Sequence, residues 1–83
     1  MRVRVLYFAR LRERFGLAEE SVELAGTRVA DLVAYLQARG GVWADELSAN
    51  RPFRVAVNQD IVALDAALPD SAEVAIFPPV TGG

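Results

Sequence analysis

The last six residues contain the group in this sequence that is best suited to covalent chemistry. The sequence ends in Gly82 and Gly83, so an α-carboxylate follows two residues without a Cβ that could enter a narrow channel. Pro78 and Pro79 precede them. Because proline has no backbone N–H, these residues end a sheet ladder and form an extended stem. The carboxylate is ionised at neutral pH and is a poor electrophile. Acyl chemistry at Gly83 would therefore need activation, for instance as a mixed anhydride with AMP.

Three residue types on which many enzymes depend are missing from the chain. It has no Cys and no His, and all 9 of its basic residues are Arg. The sequence thus lacks a thiolate nucleophile, the commonest general base and metal ligand, and a Schiff-base lysine. We therefore expect no catalytic side chains of its own, no metal site and no permanently bound cofactor. The composition favours a carrier, a subunit or a binding module.

Length and charge narrow the class of protein further. The 83 residues are enough for one small domain, and an apolar content of 53% is typical of a folded chain. A net charge of −2 lacks the basic excess of a nucleic-acid-binding domain. No apolar run reaches the ~18 residues of a membrane span, and the run from Val5 to Ala9 is too short for a signal peptide. We expect a cytoplasmic protein that binds neither nucleic acid nor membrane.

Hydrophobic periodicity predicts five strands and one main helix. Strands are predicted at 2–8, 20–24, 53–57, 61–62 and 73–77. The main helix is predicted after Thr27, its candidate N-cap, and ends at Gly40 and Gly41. Its apolar face consists of Val29, Leu32, Val33 and Leu36. One or two further helical turns are expected at 9–15 and 42–47.

The order of these elements, ββαβββ, predicts the α+β class. A right-handed crossover through the helix would place the last strand beside the first, in parallel orientation. One mixed sheet of four to five strands packed on one main helix is a β-grasp, the ubiquitin-like fold. A ferredoxin-like fold would need two comparable helices. We expect a β-grasp domain over 1–77 and an extended, flexible Gly-Gly tail over 78–83.

Several segments of the chain resemble the small, sulfur-carrying subunits of molybdopterin synthase, the MoaD-type ubiquitin-like family. The matching segments are Val5-Leu6-Tyr7-Phe8-Ala9, Arg12-Glu13, the region of Trp43, Val57-Asn58-Gln59 and Glu73-Val74-Ala75-Ile76-Phe77-Pro78-Pro79-Val80-Thr81-Gly82-Gly83. The last segment is the most specific, because Gly-Gly alone also fits other carriers and ubiquitin. The chain departs from the family at Ser71-Ala72, where the family usually has Gly-Asp, which leaves the type of that turn open.

The resemblance implies a role in molybdenum cofactor biosynthesis. An adenylating enzyme of the ubiquitin-activating type would use ATP to convert the Gly83 carboxylate to an acyl-adenylate. A sulfur donor protein would then convert the adenylate to a thiocarboxylate. The large subunit of molybdopterin synthase would take in the tail, including Gly82, and pass the sulfur to a cyclic pyranopterin monophosphate. The chain would be the sulfur-donor subunit of a heterotetrameric sulfurtransferase.

The resemblance also implies a partner-binding surface. It comprises Phe8, Ile61, Phe77, Pro78, Pro79, Val80 and Thr81. Strand periodicity puts Phe8 and Phe77 on the face away from the helix, and exposed aromatic clusters usually mark interfaces. The alternative is that Phe8, Ile61 and Phe77 are ordinary core residues.

Three other functions remain open on the sequence alone. The chain could carry sulfur for thiazole synthesis or tRNA thiolation. It could be a ubiquitin-like modifier joined to partner lysines, or a non-covalent β-grasp interaction module with an inert tail. Deleting Gly83 should abolish function in a carrier or a modifier and change nothing in an inert-tail module.

Two clusters of charged residues are interpreted as structural. Arg10, Arg12 and Arg14 are expected to form a solvated helix face, since short charge runs are mostly solvated. Asp45 and Glu46 are not expected to bind a metal ion, because adjacent carboxylates point in different directions.

Overall fold

The structure is a computed structural model that describes residues 1–79. Its elements are β1 (Arg2–Tyr7), α1 (Ala9–Phe15), β2 (Glu19–Glu23), α2 (Val29–Gln37), α3 (Gly41–Glu46), β3 (Arg54–Val57), β4 (Asp60–Val62) and β5 (Glu73–Phe77). The predicted strands are all present within one or two residues at each end. The Gly-Gly tail predicted at 78–83 lies mostly outside the described residues.

The five strands form one mixed sheet in the order β2-β1-β5-β3-β4. β1 pairs antiparallel with β2 and parallel with β5, while β3 pairs antiparallel with both β4 and β5. The parallel pairing of the first strand with the last follows from the crossover through α2, as the sequence predicted. The β-grasp prediction is therefore confirmed.

The core lies between one face of the sheet and the helices. β1 contributes Val3, Val5 and Tyr7, each at most 1% exposed. The central strands β3 and β5 contribute Val55, Val74 and Ile76, and α2 contributes Val29, Leu32, Val33 and Leu36. The predicted apolar face of the main helix is thus the buried face. We call this side of the sheet its inner face and the opposite side its outer face.

Two shorter helices accompany the main one. α1 forms because Leu11 and Phe15, four residues apart, both enter the core, and it ends at Gly16 with a left-handed φ of 75°. The predicted N-cap of α2, Thr27, is wrong. The N-cap is Arg28, and the Asp31 carboxylate accepts hydrogen bonds from the backbone N–H groups of Thr27 at 3.0 Å and Arg28 at 2.9 Å. An acidic side chain in the first turn therefore replaces the expected hydroxyl.

An aromatic cluster fastens α1 and α3 to the sheet. Trp43 of α3 stacks on Phe15 of α1 with ring centroids 3.8 Å apart, and Tyr7 of β1 meets both rings edge-on. The guanidinium of Arg39 lies 4.4 Å above the centre of the Trp43 ring. α1 begins directly after Phe8, so this packing fixes the backbone from which the Phe8 side chain projects.

Candidate functional site

The outer face of the sheet carries an apolar row that crosses four strands. Residues paired directly across neighbouring strands share one face of a sheet. Leu6 of β1 pairs with Ala75 of β5, Ala75 with Ala56 of β3, and Ala56 with Ile61 of β4. Because the two central residues are alanines, only methyl groups cover the middle of this face. The surface of this row is therefore depressed over the two alanines, and the larger side chains of Leu6 and Ile61 project at its two ends.

A second row runs beside it at the end of the sheet where β5 finishes. Phe77 of β5 pairs with Arg54 of β3. Phe8 is extended, with φ −129° and ψ 155°, and its backbone N–H donates to the carbonyl of Ile76 at 3.3 Å. Phe8 thus continues β1 by one residue and lies on the other side of Phe77 from Arg54.

The structure brings the three predicted patch residues onto the same face. Phe8 is 45% exposed, Ile61 is 68% exposed and Phe77 is half-buried. None of them belongs to the core cluster. We call Leu6, Phe8, Ala56, Ile61, Ala75 and Phe77 the apolar patch. Ala56 is only 8% exposed and Leu6 and Ala75 are half-buried, so Phe8 and Ile61 supply most of the exposed apolar area. An exposed apolar surface on a small domain is typical of a protein–protein contact.

The position of Ile61 depends on the tight turn between β3 and β4. Asn58 and Gln59 take left-handed φ values of 49° and 76°, as a two-residue hairpin turn requires. The side-chain oxygen of Asn58 accepts a hydrogen bond from the backbone N–H of Glu73 at 3.0 Å. The hairpin is thereby tied to β5, and Ile61 falls in register with Ala56.

The other half of the outer face is charged and internally paired. Nε of Arg4 lies 2.6 Å from Oε2 of Glu19, and Nε of Arg2 lies 3.5 Å from Oε1 of Glu23. The hydrogen bond from Arg4 lowers the pKa of the Glu19 carboxyl, and the same contact raises the pKa of Arg4. The outer face is thus divided into a charged half and the apolar patch.

The chain leaves the sheet from the apolar patch. Pro78 and Pro79 follow Phe77 at the end of β5 and are half-buried. β5 lies between β1 and β3, so the root of the tail lies between Phe8 and Arg54. The other predicted tail residues, Val80, Thr81, Gly82 and Gly83, are outside the described residues.

Sequence reasoning missed some residues of this surface. The alanines Ala56 and Ala75 and the cation Arg54 join the apolar patch only through the β3–β5 register, which strand periodicity does not give. The expected solvated helix face is confirmed, because Arg10, Arg12 and Arg14 are all exposed, but the contact of two of them with a buried carboxylate was not predicted. Arg10 and Arg14 are bound to Glu46, whose side chain is completely buried.

Within residues 1–79, no group of His, Cys, Asp or Glu side chains is arranged to hold a metal ion. No helix in that range is long and apolar enough to cross a membrane. The candidate site consists of the apolar patch and the two prolines, Pro78 and Pro79, that follow it.

The order of the strands and the packing of α2 on the sheet define a ubiquitin-like β-grasp protein. Residues 5–83 match the ThiS family, and the chain belongs to that family. The resemblance drawn from the sequence motifs is confirmed by curated relatives named as molybdopterin synthase sulfur carrier subunits.

Characterised relatives extend this assignment. The chain is 40% identical over 81 residues to the molybdopterin synthase sulfur carrier subunit of Escherichia coli (strain K12), covering 98% of this chain and 99% of that protein. Its fold matches a Pyrococcus furiosus protein assigned as molybdopterin converting factor, subunit 1, with a TM-score of 0.79 and 34% identity over 96% of this chain and 99% of that one. Small archaeal modifier protein 1 from Methanosarcina acetivorans matches with a TM-score of 0.74 and 26% identity, covering 99% and 96%.

Proposed function

We propose that this protein is a sulfur carrier in molybdenum cofactor biosynthesis and that its sulfur is held at the Gly83 carboxylate. The observation that carries the proposal is the position of the tail root. Pro78 and Pro79 start from the middle strand of an exposed apolar face, between Phe8 and Arg54. A partner that covers this face meets the start of the tail at the same time. Relatives that match over nearly their whole length are sulfur carrier subunits of molybdopterin synthase.

The chemistry at Gly83 proceeds in two steps. The carboxylate attacks the α-phosphate of ATP in an adenylating enzyme, releasing pyrophosphate and forming an acyl-adenylate. Hydrosulfide released by a separate donor protein attacks the acyl carbon, the bond from that carbon to the AMP oxygen breaks, and AMP leaves. The product is a thiocarboxylate whose sulfur can be transferred to the pyranopterin precursor. ATP is thus a substrate of the partner, and this chain needs no bound cofactor.

The composition supports this division of labour. The chain has no Cys that could carry a persulfide, so a terminal thiocarboxylate is the sulfur-carrying group that its composition allows. It also has no His and no Lys, so the acid–base groups would come from the adenylating enzyme and the large synthase subunit.

Each part of the proposed site has its own role. Phe8, Ile61 and Phe77 dock the partner, and Pro78 and Pro79 hold the tail away from the sheet. Val80 and Thr81 line the entry of the partner's channel, and Gly82 lets the chain pass its narrowest point. We place this reaction in the cytoplasm, in a heterotetramer of two carrier and two large subunits.

The intact mass of the protein tests the proposal. The full chain is incubated with ATP, the adenylating enzyme of its own host and a sulfur source. We expect a mass shift of one oxygen replaced by one sulfur, mapped to Gly83 by fragmentation. The same incubation of a chain lacking Gly83 is the control and should give no shift. An unmodified carboxylate on the intact chain under these conditions would overturn the proposal.

Protein modification is the second candidate function, and the similarity to a small archaeal modifier protein favours it. The adenylate would then be captured by a lysine amine of another protein instead of by sulfur. The same incubation with cell extract distinguishes the two outcomes. A modifier gives higher-mass conjugates that depend on Gly83, whereas a carrier gives the thiocarboxylate alone. If thiocarboxylate forms but does not serve the pyranopterin precursor, thiazole synthesis and tRNA thiolation are the acceptors to test.

A further inference from the structure

Arg54 brings a positive charge to the edge of the apolar patch. It pairs with Phe77 across β3 and β5, so both side chains leave the outer face, and Arg54 is exposed. The other two arginines of this face, Arg2 and Arg4, are paired with carboxylates of β2. Within residues 1–79, by contrast, Arg54 makes no ion pair.

We propose that Arg54 is a specificity-determining residue that binds a carboxylate of the large synthase subunit. This inference rests on the proposed function. Arg54 is beside the tail root, so a subunit that takes in the tail covers Arg54 together with Phe77. Removing a guanidinium from water is costly unless a counter-charge replaces its hydration. The surface that covers the apolar patch therefore carries an acidic side chain opposite Arg54.

The choice of the large subunit follows from the patch. Exposed apolar area is the feature of lasting assemblies, whereas transient contacts are smaller and more polar. At the centre of the patch Ala56 is only 8% exposed and Ala75 is half-buried, so an apolar side chain of the partner packs there chiefly on Ala75. Arg54 then fixes the orientation of that partner, because it places a positive charge at one end of an otherwise uncharged patch.

Binding to the large subunit, measured by calorimetry at low and high salt, tests this role. The variants are Arg54→Gln and Arg54→Glu, and the matched control is Arg2→Gln, which removes an exposed arginine from the charged half of the same face. We expect Arg54→Gln to raise the Kd about tenfold and Arg54→Glu to raise it further, with Arg2→Gln within about twofold of the unaltered chain. The Kd of Arg54→Gln should also depend less on salt.

Two controls show whether a weaker Kd reports loss of the Arg54 contact with the partner. Unchanged thermal unfolding of each variant shows that the fold is intact. The measurements are repeated on chains whose C-terminal carboxylate is amidated, where Arg54→Glu should still weaken binding by the same factor. Loss of the effect there would show that Arg54 pairs with the chain's own carboxylate and would overturn the proposal. So would a Kd for Arg54→Glu within about twofold of the unaltered chain.

This experiment can fail independently of the sulfur-carrier proposal. It uses the unmodified carboxylate and reads binding alone, so it does not depend on thiocarboxylate formation. A chain that binds the large subunit through Arg54 but never acquires sulfur would overturn the proposed function and leave this inference standing.

Discussion

The Glu46 carboxylate, which solvent does not reach, accepts a 2.9 Å hydrogen bond from Nε of Arg10. Two further arginines approach its other oxygen, Nε of Arg14 and Nη1 of Arg51, each at 3.6 Å. That oxygen has no hydrogen-bond partner within residues 1–79. The cluster ties α3 to α1 and to the segment before β3. α1 begins after Phe8, and β3 begins at Arg54. The Glu46 cluster therefore connects the backbone segments on the two sides of the apolar patch.

Replacing Glu46 by Gln should destabilise the fold. The amide keeps the volume but loses the negative charge, so three arginines remain close together without their shared counter-charge. Breaking a buried ion pair costs roughly 3–5 kcal/mol, and the cost here is smaller because the arginines are partly hydrated. We expect a loss of about 2 kcal/mol in the free energy of unfolding, measured by urea denaturation.

Asp45→Asn is the matched control for this prediction. Asp45 also contacts Arg14, at 3.3 Å, but its side chain is half exposed. Exposed ion pairs contribute about 0–1 kcal/mol, so this variant should be nearly as stable as the unaltered chain. If both variants lost the same free energy of unfolding, burial of Glu46 would not determine how much its ion pairs stabilise the fold.

The stability of the protein should fall in acid partly because of Glu20. Hydrogen bonds from Arg39 at 2.8 and 2.9 Å and from the Tyr7 hydroxyl at 2.6 Å hold the pKa of Glu20 below its ordinary value of 4.5. A carboxyl with a lowered folded-state pKa stabilises the fold above its unfolded pKa, and this contribution is lost as the pH falls. The unfolding free energies of the native chain and Glu20→Gln should therefore converge below about pH 4.5. A difference that stays constant from pH 7 to pH 3 would contradict this assignment.

Tyr7 should make the fold sensitive to alkali. Burial is the largest cause that raises the pKa of the Tyr7 phenol above its ordinary value of 10, and the bond to Glu20 adds to it. Above pH 10 the unfolded chain loses this proton while the folded chain keeps it, so the free energy of unfolding falls as the pH rises. Tyr7→Phe removes this dependence and keeps the ring packed on Phe15. Thermal unfolding from pH 8 to pH 11 would show a shallower decline for the variant, with Tyr35→Phe as the control.

The sequence pattern predicted the parts of this fold that depend on local periodicity. The alternation in β1 and β5 identified the inner face, and the spacing from Val29 to Leu36 identified the main helix. It could not predict the burial of Glu46, since nothing within α3 shows that arginines from outside that helix surround it. Nor could it assign Ala56, Ala75 and Arg54 to the apolar patch. Their place depends on strand register, which the contacts between distant segments determine.

Replacing Ser71 by glycine should stabilise the fold. It has a left-handed φ of 62° in the turn before β5, and its backbone N–H donates to the carbonyl of Arg2 at 2.9 Å. A side chain at such a φ is strained, whereas glycine adopts it freely. Ser71→Gly should raise the free energy of unfolding by about 0.5 kcal/mol, since relief of strain exceeds the added freedom of the unfolded chain.

Gly16→Ala is the opposite change and the control for Ser71→Gly. Gly16 has a φ of 75° and open space around the position of a Cβ, so the substitution adds strain without a clash. We expect a loss of about 1 kcal/mol, or a melting temperature lower by roughly 4–8 °C for a domain of this size. If Ser71→Gly instead melted at a lower temperature than the unaltered chain, the Ser71 side chain would have to make contacts that compensate for its backbone strain.

Enlarging the centre of the apolar patch should block docking without affecting the fold. Ala75 lies on the outer face between Leu6 and Ala56, away from the core. Ala75→Leu fills the space over the two alanines, so the partner's apolar side chain loses its place. Phe77→Asp removes the aromatic ring from the patch and places a carboxylate across from Arg54, where it competes with the partner's carboxylate for that cation. We expect both variants to weaken binding of the large subunit at least tenfold, with thermal unfolding close to that of the unaltered chain. Val74→Asp, one residue away on the inner face, should unfold the domain instead. If Ala75→Leu bound normally while Phe77→Asp did not, the partner would contact the aromatic row and leave the alanine centre uncovered.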